Sequence, residues 1–219
     1  MMPVTPEILG TWSGAVVLLI ALLVCGWALY ARAVRVDRLH RQVLGARATL
    51  EAQLLHRAQA AAELADCGAL DPASALLLSR AAHDALEAEG PIVSDGLDPA
   101  PRLDAPRPGM RERSVVESDL SRVLRTVLDE PTRAALAGPG AASALARLDR
   151  ASYRLVLARR FHNTHVSQAR ALRAKATVRL FHLAGHAPMP ATFEADDETR
   201  PFPESPRLPE DAASGDPQR

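Results

Sequence analysis

The chain has a single lysine, Lys175, a single asparagine, Asn163, and two cysteines, Cys25 and Cys67. Two cysteines exclude a disulfide framework and a multi-thiolate zinc site. Aromatic residues make up only 4% of the 219 residues, and no stretch alternates apolar and polar side chains as a half-buried strand does. The G-x-S-x-G, Walker A and dinucleotide-binding glycine patterns are all missing, so hydrolase and phosphate-cradling sites lack their usual parts. Net charge is missing too: 26 basic residues balance 26 acidic ones. What remains is an apolar content of 47%, largely alanine and leucine, which favours helix over sheet.

One segment stands apart. From Ile8 to Ala31 the chain runs 24 residues without a charge, roughly 36 Å as a helix, enough to cross a hydrocarbon core of about 30 Å. Trp12 lies near one end, and Trp27 and Tyr30 near the other, at the level amphipathic rings prefer. A cleaved signal peptide would have a basic start and a shorter apolar run. Here Met1–Glu7 contains no base. Arg32, Arg35, Arg38 and Arg41 follow the run closely. The positive-inside rule therefore predicts a single-pass protein of the cell (inner or plasma) membrane, with residues 1–7 outside and the C-terminal body in the cytoplasm. The same four arginines suit anionic lipid headgroups, which makes the bilayer itself a partner. Gly10 and Gly14 form a GxxxG spacing, which offers a route to a homo-oligomer.

After the span, a proline-free helix is expected over 32–64. Val36, Leu39, Val43, Ala46 and Leu50 step by three and four, and Leu54, Ala58, Ala61 and Leu64 resume the stripe after a phase shift. Asp71 and Pro72 read as the N-cap and first residue of a second helix. The prolines of 90–111 mark a mobile linker. A third helix is expected over 114–128 and a last one over 141–184. Beyond Gly185, prolines and carboxylates predict a disordered tail over 185–219. The expected fold is all-α: one N-terminal transmembrane helix, then an elongated helical bundle over 32–184, interrupted by the linker.

The run Ala158-Arg159-Arg160-Phe161-His162-Asn163, with Val166 after it, resembles the ARRFYN..V signature of the LemA family. Arg179-Leu180-Phe181 resembles its R-L-F-G-F segment, and Pro188, Pro190, Phe193 and Glu194 resemble its closing P-x-x-F-E. Val36, Leu39, Val43, Leu50, Gln53, Leu54 and Arg57 sit where that family has a hydrophobic ladder and a Q-L-x-R-R run. Its first-helix tryptophan is Arg47 here, and residues 70–140 have no counterpart. The resemblance implies a bacterial membrane protein with one N-terminal span and an antiparallel cytoplasmic bundle. It brings no catalytic or cofactor residues. The positions it marks are Arg159, Arg160, Phe161, His162, Asn163 and Val166.

Histidine is the place to look for chemistry. His162 and His165 are spaced i, i+3, and His182 and His186 i, i+4, but zinc needs three or four ligands, and no carboxylate lies on this helix between Asp149 and Glu194. A packed, hydrogen-bonded His162 is expected, with no catalytic residue, no metal and no cofactor. A membrane-tethered metalloprotein or hydrolase using His162, His165 or His182 is the alternative. The last helix is strongly basic, through Arg147, Arg150, Arg154, Arg159, Arg160, Arg170, Arg173, Lys175 and Arg179. Its expected use is pairing with the acids of 63–130, and an acidic protein partner comes second. A lipid- or nucleic-acid-binding module is a further alternative, nucleic acid being disfavoured because the helix lacks a series of stacking aromatics. The function expected is that of a non-catalytic anchored scaffold that binds a protein partner.

Overall fold

The computed structural model describes residues 6–97, 111–136 and 138–196, with side chains from residue 14 onward. The first five residues, most of the expected linker and the tail after 196 lie outside the described residues. Among the described residues there are six helices: α1 (Pro6–Asp66), α2 (Pro72–Glu87), α3 (Arg113–Val127), α4 (Glu130–Ala135), α5 (Pro139–Arg173) and α6 (Ala176–Leu180). Among the described residues there is no strand.

The uncharged run and the first bundle helix are one element. α1 has 61 residues and is about 90 Å long at 1.5 Å per residue. Among the described residues it is the one helix long and apolar enough to cross a membrane, and the rest of the chain covers none of its apolar window. Val17, Leu18, Leu22, Leu23 and Val24 all project outward. Gly14 is equally open, with no atom within 4 Å of where a Cβ would stand.

α5 packs antiparallel to α1, as three successive apolar clusters record. Val43 meets Val166 and Ala169. Leu50 and Leu54 meet Leu155 and Ala158. Further on, Ala58, Ala61 and Leu64 join Ala141, Ala144, Leu148 and Ala151, and there α2 and α3 add Leu78, Ala82, Leu120 and Leu124 to close a four-helix core. The Asp71 carboxylate caps α2 by accepting from the amides of Ala73 and Ser74, each at 3.1 Å. Asp129 caps α4 through the Thr132 amide at 2.9 Å.

The stripe expected in the first helix is buried at Val43, Leu50, Leu54, Ala58, Ala61 and Leu64. From Val43 onward α1 also buries Arg47, Arg57, Ala60 and Ala65, and Val43, Arg47, Leu50, Leu54, Arg57, Ala61 and Leu64 follow one another in steps of four and three. Two arginines occupy places in the core stripe. The last helix ends early. The apolar stripe of α5 stops at Leu172, because the next places on that face fall on Lys175 and Ala176, both exposed. A break at Ala174–Lys175 turns the short α6 so that Val178 is buried instead.

Two further corrections concern irregular segments. The expected linker begins with an anchored stretch, since Ile92 is buried in the Leu50–Leu155 cluster. The expected disordered tail begins too early at 185, because residues 187–196 lie along the bundle and Phe193 is only 2% exposed. From Ala187 to Phe193 this segment carries no charge, so it has apolar surface to bury where the acidic residues after it do not.

Candidate functional site

Residues 187–196 form a strap that runs back along α5, away from the apolar run of α1. α5 supplies most of its hold. Arg173 donates to the carbonyls of Pro188 and Ala187, both at 2.6 Å, and Arg170 Nε donates to that of Pro190 at 2.8 Å. Asn163 then closes a two-way lock. Its Nδ2 donates to the Phe193 carbonyl at 3.2 Å, and its Oδ1 accepts from the Phe193 amide at 3.0 Å. The strap ends on α3, where Ser118 Oγ accepts from the Asp196 amide at 3.1 Å. There Arg125 grips the Asp196 carboxylate through two bonds of 2.9 and 2.6 Å.

Asp95 ties the strap to α1 and to the loop before it. Its carboxylate accepts from the Arg47 guanidinium, from the Ala191 amide at 2.9 Å and from the Leu97 amide at 3.2 Å. Both side chains of the Arg47–Asp95 pair are almost fully buried. Burial works against the Asp95 charge, but the hydrogen bond from Arg47, the two amides and the Arg47 charge outweigh it and hold the carboxyl below its ordinary 3.8.

The sign of the pH dependence follows. The unfolded chain takes up the Asp95 proton first, so this stabilisation is complete above 3.8 and is lost as pH falls through the lower folded value. In denaturant titrations of the full chain from about pH 6 to about pH 3, the stability difference between wild type and Asp95→Asn is expected to shrink with acid. A difference that stays constant contradicts this role.

A second buried ion pair lies further along α1 from the apolar run. Arg57 donates to Glu117 Oε2 at 2.8 Å, to the Glu117 carbonyl at 3.1 Å and to Ser121 Oγ at 2.8 Å. Arg57 is 1% exposed, and Glu117 and Ser121 are fully buried. Burial raises the Glu117 carboxyl above its ordinary value, and the Arg57 charge and hydrogen bond, with the Arg113 charge, oppose that only in part. Arg57 Nε and Glu117 Oε1 find no hydrogen-bond partner.

The residues singled out from sequence divide sharply. Val166 and His162 are fully buried, Arg159 and Asn163 half-buried, and Arg160 and Phe161 exposed. His162 is packed as expected, and among the described residues neither ring nitrogen has a partner at full hydrogen-bond geometry. Burial, the largest influence, holds the His162 pKa below 6.5; Arg47 and His165 add to it, and Ala191 and Asp95 oppose it. His165 is half-buried, and His182 stands exposed in the turn after α6, so the three histidines do not converge. Among the described residues no group of three His, Cys, Asp or Glu side chains could hold a metal ion.

Of the pairing expected between the last helix and the acids of 63–130, one ion pair stands among the described contacts. Arg147 reaches Glu63 at 2.9 Å. Arg170 and Arg173 are spent on strap carbonyls, because the antiparallel packing lays α5 against α1 and the strap while the acidic middle lies on α2 and α3. Arg150, Arg154, Arg160, Lys175 and Arg179 are exposed. After the uncharged run, Arg32, Arg35 and Arg38 are exposed, and Arg41, also exposed, pairs with Asp37 one turn back.

Sequence reasoning missed Asp95, Glu117 and Ser121. A signal for the last two was present, since they follow Val116 and Leu120 on the apolar face of α3. Asp95 had none, because nothing in a proline-rich loop announces a buried carboxylate. No protein-family model, no curated protein and no solved structure matches the chain.

Proposed function

We propose that this protein is a single-pass membrane anchor carrying a non-catalytic, LemA-like helical bundle at the cytoplasmic face, where it binds a protein partner. The observation that carries this reading is the Asn163–Phe193 lock. Two stretches that resemble one family, thirty residues apart in sequence, prove to be complementary halves of a single contact. The same logic supports a scaffold over a catalyst. Asn163, Arg170, Arg173, Asp95 and Arg57 are each consumed in holding the fold.

The face of α5 turned away from the strap is the partner surface in this account. Tyr153, Arg154, Arg160 and Phe161 lie on it at helical spacing, and Phe161 is 62% exposed. Aromatic and arginine side chains are the types that dominate protein interfaces, and the arginines favour an acidic partner. Full-length protein crosslinked in membranes and purified under denaturing conditions is expected to bring one specific protein with it. Phe161→Ala combined with Arg160→Ala is expected to weaken that complex by about thirtyfold or more, the effect of losing about 2 kcal/mol at an interface centre. Equal recovery of the partner by the variant, or recovery of none by the wild type, contradicts the assignment.

A further inference from the structure

The elbow formed by α6 and the turn at 181–186 has no part in the strap or the partner face. Antiparallel packing carries it back to the foot of the span. Leu183, Ala184 and Gly185 line a cavity of about 290 Å³ together with Ala33, Val36 and Leu39 of α1. Ala33 and Val36 lie just past Ala31, so along the helix axis the elbow stands within about 8 Å of the end of the uncharged run.

Its outer surface is unusual for a side meant to face water. Leu180 is 73% exposed and Phe181 49%, while Val178 beneath them is buried and fastens the elbow to the bundle. Lys175 and Arg179 flank this apolar tip, and Arg32, Arg35 and Arg38 project from neighbouring turns of α1; all five are exposed and none makes an ion pair among the described residues. Apolar tips ringed by cations at headgroup height match an anionic bilayer surface, with hydrocarbon entering the acyl boundary and the bases meeting phosphates.

We propose that the elbow is a second membrane contact: Leu180 and Phe181 insert into the headgroup layer of an anionic bilayer, with Lys175 and Arg179 on its phosphates. Span and elbow together then fix the direction in which the bundle leaves the membrane. The proposal rests on α1 being a membrane span.

The test uses the full chain in vesicles of phosphatidylcholine with about one third phosphatidylglycerol. In a Cys25→Ser, Cys67→Ser background, an environment-sensitive fluorophore is placed through His182→Cys, and in separate samples through Leu22→Cys in the span and Leu76→Cys on α2. Spin-labelled lipid is expected to quench the labels at 22 and 182 and spare the one at 76. Adding Leu180→Ser and Phe181→Ser is expected to abolish quenching at 182 alone. Lys175→Gln or Arg179→Gln is expected to lower the docked-to-undocked ratio by about fivefold per charge.

Quenching at 22 without quenching at 182 overturns the elbow contact and leaves the anchor standing. No quenching at 22 overturns the anchor and the elbow with it. Quenching at 182 that survives both serine substitutions overturns the insertion of Leu180 and Phe181. A blue-shifted label at 182 that lipid does not quench would place the elbow against protein, which also overturns the proposal.

Discussion

Arg57→Ala is expected to destabilise the bundle by about 3–5 kcal/mol, because it leaves the fully buried Glu117 carboxylate without its cation. The loss exceeds that of an ordinary hydrogen bond, since three bonds from one guanidinium disappear together. Denaturant unfolding of the full chain in detergent, followed by far-ultraviolet circular dichroism, measures it. The pH dependence identifies the cause. Burial already raises the Glu117 pKa, and removal of Arg57 raises it further. The folded variant then binds a proton that the unfolded chain releases, and part of its stability returns as pH falls towards about 5. A loss of less than about 1 kcal/mol, or one that grows with acid, contradicts the assignment. The double substitution Arg57→Met, Glu117→Leu is expected to regain most of the stability, since apolar residues of similar volume often match a buried ion pair. The pair then sets which register of α1 on α3 is adopted more than how firmly it is held.

The second large effect is at Phe193. Its ring fills the cluster of Leu50, Leu54, Ile92, Leu155 and Ala158, and truncating such a ring to alanine removes about 3–5 kcal/mol. The strap ends in the exposed Asp196, so it can detach without unfolding the helices, and the loss is expected as local opening. Two amides report it: Ala191, bonded to Asp95, and Phe193, bonded to Asn163. In Phe193→Ala their hydrogen exchange is expected to accelerate by about a hundredfold or more, while amides in the middle of α5 change little. Asn163→Asp separates the two halves of the lock, since it keeps the acceptor for the Phe193 amide and removes the donor to the Phe193 carbonyl. Its effect is expected to be smaller, about 1–2 kcal/mol. Uniform acceleration along the whole chain would mean the strap is inseparable from the bundle.

The helices were legible because their signals are local. The Asp71-Pro72 cap, the three-and-four spacing and the uncharged run each fall within a few turns, and each corresponds to an observed element. The two buried arginines were not legible. Arg47 and Arg57 fall on the core face at the correct spacing, but an arginine in an apolar stripe reads as a break in the stripe unless its partner is known. Those partners, Asp95 and Glu117, stand 48 and 60 residues away in sequence. The strap was hidden for a similar reason. Its prolines and the acids beyond it imitate a disordered tail, and only the cluster waiting for Phe193 gives it somewhere to go. The marked positions at 159–166 held a partial clue, because Asn163 sits beside a buried histidine on a helix that otherwise reads as basic and solvated.

In the proposed reading, the buried pairs and the strap fasten the bundle to α1, so that a partner at Phe161 and Arg160 would be held at a set distance from the bilayer. That account depends on the body lying on the cytoplasmic side of a single span, and the chain carries its own probe for this. Cys67 is exposed at the end of α1 furthest from the apolar run, and Cys25 lies within that run. In sealed right-side-out membrane vesicles, a membrane-impermeant maleimide is expected to leave Cys67 unmodified until the vesicles are opened, and Cys67→Ser is expected to abolish the labelling. Full modification of Cys67 in the sealed vesicles would contradict the account.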